Sequence, residues 1–124
     1  TSLDDGLDAF KIEMGPAWAN TVVIIATEFG RTAAPNGANG TDHGTGAAAF
    51  LAGGAVQGGR ILADWPGLAR GALYEGRDLR PTTDLRAVFK GVLADHLSIA
   101  SAALDRDAFP DSGSAQPAQG LLRG

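Results

Sequence analysis

The chain has 124 residues, 44% of them hydrophobic and 19% charged, the balance of a folded globular domain rather than a disordered segment. Its net charge of −4 and lack of any lysine- or arginine-rich cluster exclude a nucleic-acid partner, and the absence of cysteine excludes disulfides and thiolate metal sites. No apolar run approaches the roughly 18 residues that span a bilayer, so no membrane crossing is expected.

The chain opens on "TSLDDGLDAFKIEMG" without an initiating Met or a signal peptide, which reads as a processed product or a piece of a longer protein. Within this stretch Leu3, Leu7, Phe10 and Met14 recur at helical spacing, with Asp4, Asp5, Asp8, Lys11 and Glu13 mostly between them. The pattern predicts an amphipathic helix with Thr1 or Ser2 as N-cap, early aspartates at the positive end of its dipole, and a stop near Gly15-Pro16. The β-branched run Val22, Val23, Ile24, Ile25 then reads as a strand covered on both faces, as in a parallel sheet. A glycine-rich loop follows to about Gly46. "AAAFLAGGAV" reads as a second buried strand, and Gly58-Gly59 as a turn into a hairpin arm.

The stretch "PTTDLRAVFKGVLADHLSIASAAL" predicts a long helix capped by Thr82 or Thr83, with Asp84 in its first turn. Its apolar stripe is Leu85, Val88, Phe89, Val92, Leu93 and Leu97, and His96 lies near its end. From Pro110 the composition turns to Pro, Gly, Ser and Gln, which predicts a flexible tail over residues 110–124 behind a single α/β domain over residues 1–109.

In open α/β sheets functional groups collect just beyond the carboxyl ends of strands. The stretch "ATEFGRTAAPNGANGTDHGTG" occupies that position and contains Glu28, Arg31, Asp42 and His43. Carboxylates and an imidazole suit a hard or borderline divalent ion, and the Arg31 guanidinium suits a phosphate or sulfate. Adjacent residues of an extended segment point in opposite directions, so Asp42 and His43 need not share an ion, and Asp42 could orient a neighbour instead. The plainer reading is a solvated Glu28–Arg31 pair and an Asp-His-Gly turn. The glycines lack the Gly-Lys-Ser/Thr ending of a phosphate-cradling loop, and neither an HExxH nor a Gly-x-Ser-x-Gly motif is present.

Three blocks, "VVIIATEFGRT", "NGTDHGTGAAAFLAGGAVQGGRILADWPGL" and "DLRPTTDLRAVFKGVLADHL", together resemble the C-terminal part of the bacterial domain-of-unknown-function family numbered 1501. The resemblance implies twin-arginine export, a periplasmic or exported location, and membership of the alkaline phosphatase and sulfatase-like superfamily. It implies the C-terminal portion of an alkaline-phosphatase-like α/β fold: a mostly parallel sheet flanked by helices, with a small hairpin. "TDHG" looks like the superfamily's Asp-His metal motif, but that motif directly follows a buried strand, as "TEFG" does here. Strand order therefore places Glu28 at the metal-binding Asp, Phe29 at a metal-binding His, and His43 at the later metal His. Expected metal ligands are thus Glu28, His43 and Asp42 (ligand or orienting group), holding Zn²⁺, Mg²⁺, Mn²⁺ or Ca²⁺, with Arg31 clamping a small anionic ester. The nucleophile is expected outside this chain. Partners implied are that ester substrate or none, a second copy, or an N-terminal part that completes the sheet. A non-catalytic cell-envelope binding module with an eroded metal site is the alternative, because Phe29 cannot ligate a metal.

Overall fold

The computed structural model describes residues 2–124. Helix α1 (Leu3–Met14) begins where the sequence places it, and Ser2 is its N-cap. The Ser2 hydroxyl accepts from the Asp5 amide at 3.2 Å while the Asp5 carboxylate accepts from the Ser2 amide at 2.9 Å. This reciprocal box satisfies two otherwise orphaned donors and draws the Asp5 carboxyl below its usual range, chiefly through the Ser2 backbone hydrogen bond. The alternative cap, Thr1, lies outside the described residues. Gly15 ends α1, and Pro16 sits in the first turn of a 3₁₀ segment, Gly15–Asn20, where its missing N–H costs nothing. Phe10 meets Trp18 edge to face at 6.2 Å and fixes that segment against α1.

Strands β1 (Val23–Ile25) and β4 (Phe50–Ala52) pair antiparallel, Val23 opposite Ala52 and Ile25 opposite Phe50. Strands β2 (Gly30–Arg31) and β3 (His43–Gly44) form a second antiparallel pair, Gly30 opposite Gly44 and Arg31 opposite His43. The expected mostly parallel sheet is thus replaced, among the described residues, by two short two-stranded antiparallel sheets. The physical reason lies in coverage. All three residues of β1 are only half-buried, so its unbroken apolar run does not reflect two covered faces. The hairpin arm expected after Gly58-Gly59 does not form either. Residues 57–69 are irregular and solvent-facing, with Ile61 91% exposed.

Helix α2 (Leu85–Leu97) starts later than the sequence suggests, because Asp84 itself is the cap. Its carboxylate accepts from the Arg86 amide and is gripped by the Arg86 guanidinium, which holds the Asp84 carboxyl below its usual range. α2 is followed by the single turn α3 (Ser101–Ala103) and a π-type turn, Leu104–Ala108. The interior is small and lies between α2 and the C-terminal residues: Val56, Leu73, Val92, Leu104, Ala115 and Leu121 are its buried apolar members.

The segment 110–124, expected as a flexible tail, supplies Ser112, Ala115 and Leu121 to that interior. Lys90, only 1% exposed, anchors it. The Lys90 ammonium donates to the Asp105 carboxylate, to the Ser112 carbonyl at 2.7 Å and to the Ala115 carbonyl at 3.0 Å, so all three protons are used. Further main-chain bonds tie Ala118 to Ala87, Leu121 to Gln57 and Arg123 to Ala55. A Pro/Gly/Ser/Gln composition is therefore compatible with order here because the segment is held through its backbone rather than by a large apolar surface.

Candidate functional site

The loop after β1 is built around backbone proximity. The Arg31 amide donates to the Gly46 carbonyl at 2.9 Å, the Gly46 amide to the Leu79 carbonyl at 3.0 Å, and the Leu79 amide to the Arg31 carbonyl at 3.0 Å. Three segments distant in sequence thus close one ring of hydrogen bonds. Glycines at its crowded positions permit it. A Cβ at Gly30 would lie 2.3 Å from the Thr45 carbonyl carbon, and one at Gly46 would lie 2.6 Å from the Leu79 carbonyl oxygen.

Beside the ring sits a buried acid that the sequence did not single out. Asp78, 4% exposed, accepts from the Thr45 hydroxyl at 2.8 Å and from the Arg77 guanidinium at 2.6 Å. Arg77 first, and Thr45 second, hold its carboxyl below the usual range. The Asp78 backbone bridges to Thr32 and Tyr74, and the Thr32 hydroxyl accepts from the Asp42 amide at 3.1 Å. The available signal was the adjacent Arg77-Asp78 pair at the head of the "DLRP" block, which composition alone does not distinguish from a surface ion pair.

The four side chains singled out from the sequence are all exposed. Arg31 and His43 are directly opposite in the β2–β3 ladder, and directly opposed residues project from the same face. Arg31 Nη1 donates to the Thr41 carbonyl at 2.9 Å. The His43 ring stacks on Phe29, centroids 4.7 Å apart and planes 21° from parallel. Asp42 Oδ1 accepts from Asn36 Nδ2 at 2.9 Å, and Asn36 Oδ1 in turn accepts from the amides of Ala38 and Gly40. The Asp42 carboxylate thus braces the loop tip as turn chemistry does.

Glu28 faces elsewhere. It lines a cavity of about 850 Å³ whose walls include Phe50, Val56, Trp65, Leu79 and Leu121. Neither Asp42 nor His43 borders that cavity. Among the described residues no three His, Cys, Asp or Glu side chains are grouped so as to hold a metal ion. The structure therefore brings together Arg31 and His43, and leaves Glu28 and Asp42 in separate surroundings. As arranged, this donor set does not fit a divalent ion, which needs several oxygen or nitrogen ligands on one centre.

The segments knotted together here, 30–32, 44–46 and 78–80, come from the three sequence blocks quoted above. Residues 1–107 match the family model described as "Protein of unknown function (DUF1501)". The chain belongs to this family. Within the DUF1501 match lie β1 to β4, the hydrogen-bonded ring and α2, while Ser112, Ala115 and Leu121 fall beyond it. Neither the comparison with curated proteins nor that with solved structures returns a match.

Proposed function

We propose that this DUF1501 chain is a non-catalytic binding module of the cell envelope, reached by twin-arginine export as the family resemblance implies. One observation carries the reading: the His43 ring is stacked on Phe29, an apolar neighbour, while the carboxylates of Glu28 and Asp42 serve other surroundings. A bound small ligand would lie in the cavity beside Glu28, whose volume and largely apolar walls suit a compact apolar or amphipathic molecule.

The competing reading is a metal-dependent hydrolase of phosphate or sulfate esters, with Glu28, Asp42 and His43 as ligands and Arg31 as oxyanion clamp. It draws on the opposition of Arg31 and His43 across the ladder, where a guanidinium and an imidazole can meet one anion.

Calorimetric titration of this chain with Zn²⁺, Mg²⁺, Mn²⁺ and Ca²⁺, run alongside arylphosphatase and arylsulfatase assays of the full-length protein that supplies the nucleophile, separates the two. The binding-module reading expects no stoichiometric metal uptake and no turnover. Stoichiometric uptake lost in both Glu28→Gln and His43→Ala, or metal-dependent turnover, overturns it.

A further inference from the structure

The loop tip braced by Asp42 contains the same dipeptide twice, Asn36-Gly37 and Asn39-Gly40. An asparagine side-chain amide is open to attack by the main-chain nitrogen of the next residue, most readily when that residue is glycine and no Cβ stands in the way. The attack also needs a side chain that can turn its Cγ toward that nitrogen. In an unfolded chain the two pairs are near equivalents, and the fold sets them apart.

Asn36 is held at both ends of its amide. Nδ2 donates to Asp42 Oδ1 at 2.9 Å, and Oδ1 accepts from the Ala38 amide at 2.9 Å and the Gly40 amide at 3.1 Å. Turning its Cγ toward the Gly37 nitrogen breaks this set of bonds together. Asn39 differs. It is exposed, its backbone sits in the left-handed region at φ 58°, and among the described residues its side chain makes no hydrogen bond. One restraint remains on its pair: the attacking Gly40 amide donates to Asn36 Oδ1. A single hydrogen bond at an exposed turn opens far more often than three at once.

We propose that Asn39 is a self-modification site of the folded chain, deamidating through a cyclic imide while Asn36 is protected. The Gly40 nitrogen loses its proton and attacks Asn39 Cγ. An N–Cγ bond forms, the Cγ–Nδ2 bond breaks, and Nδ2 leaves as ammonia with that proton. Water then opens the ring. Opening at Cγ leaves an aspartate, and opening at the main-chain carbonyl leaves an isoaspartate, whose main chain is one carbon longer. Either product adds a negative charge to a loop that already holds Asp42. The isoaspartate reaches further, because the Asn36 amide donates to the Gly40 carbonyl at 2.7 Å across Asn39. A turn closed so tightly loses that bond when its main chain lengthens. Asn36 is thereby released to convert second, and its new carboxylate meets Asp42 where Nδ2 now donates. Neither step depends on what the cavity beside Glu28 binds or on a metal.

The test incubates the chain at mildly alkaline pH, folded and in urea, and follows each asparagine by peptide mass spectrometry with isoaspartate detection. In the folded chain Asn39 is expected to convert at least tenfold faster than Asn36, and faster still as pH rises, because the attacking nitrogen must lose its proton. In urea the two should convert at similar rates. Gly40→Ala, whose added carbon meets nothing closer than Asn36 Oδ1 at 3.9 Å, should fold and slow conversion of Asn39 at least tenfold. An Asn39 that stays intact in the folded chain while it converts in urea overturns the proposal. So does an Asn36 that converts first or equally fast in the folded chain, or a preference for Asn39 that is just as large in urea.

Discussion

Phe29 and His43 lie face to face with their ring centroids 4.7 Å apart. Because Phe29 is 51% exposed, this contact is a surface stack rather than core packing. Phe29→Ala should therefore cost about 1 kcal/mol, the scale of an aromatic pair, rather than the ~3–5 kcal/mol of emptying a core site. The imidazole proton resonances of His43 should move downfield as the ring current is lost. Urea denaturation and a two-dimensional NMR spectrum check both outcomes.

Gly30 and Gly46 are predicted to be intolerant of any side chain. Gly30→Ala forces a Cβ into the Thr45 carbonyl and Gly46→Ala one into Leu79, so each should destabilise by about 3 kcal/mol or more. Gly37→Ala and Gly58→Ala, with nothing within 4 Å of the added carbon, should stay within about 0.5 kcal/mol of the parent. Thermal unfolding of the four variants gives the comparison.

The buried acid gives stability a defined pH response. Asp78 has its carboxyl lowered in the folded chain, by Arg77 first and Thr45 second. A depressed folded value means that the contribution is fully present above the unfolded aspartate value of about 3.9 and is lost as pH falls through the folded one. Asp5, Asp84 and Asp107 are shifted in the same direction. Stability should hence fall steadily below about pH 4, and Asp78→Asn should flatten part of that slope while lowering stability at neutral pH. Urea midpoints measured across the acid range decide it.

Lys90 is predicted to be the most costly side chain to remove from α2. Lys90→Met fits the volume but leaves the carbonyls of Ser112 and Ala115 without a donor, and Asp105 without its cation. Removing one partner of such a buried set costs about 3 kcal/mol. Amide hydrogen exchange should accelerate across 112–121 before it does so in α1, because the Lys90 ammonium holds the carbonyls of Ser112 and Ala115 directly, whereas α1 is held at its start by its own Ser2–Asp5 box.

How much of this was legible in the residues depends on what each feature is made of. α1 was legible because period, cap and stop are all written in side chains: Leu3, Leu7, Phe10, Ser2, Asp5, Gly15. α2 was legible in its stripe, though its start shifted because a third capping residue, Asp84, competed with Thr82 and Thr83. The strands were visible as apolar runs, but an apolar run does not name its partner or direction, and so a parallel sheet was expected where β1 meets β4 antiparallel. The burial of Ser112, Ala115 and Leu121 was not legible in the composition of the C-terminal segment, because Lys90 holds that segment through carbonyls and main-chain acceptors leave no compositional trace. Lys90 itself stands three and four residues from Leu93 and Ala94, on the apolar side of the helix, and that spacing was the signal available. At the candidate site the residue types were legible: Glu28, Arg31, Asp42 and His43 stand out as the charged side chains of a glycine-rich loop. Their separation was not legible, since Glu28 precedes β2 and Asp42 precedes β3, in irregular backbone whose course no periodicity records.

The hydrogen-bonded ring of Arg31, Gly46 and Leu79 bears on how the chain assembles. Any two of the three segments, brought together without the third, leave one amide and one carbonyl hanging. Partial docking is thus a poor bargain at every stage, and the last arrival secures both of the others at once. The same closure governs breathing: when one link opens, its neighbours lose their geometric support, and the three amides should reach solvent at a common rate. Strands of two residues, too short to hold a register alone, are in this way pinned by a junction that is either whole or gone.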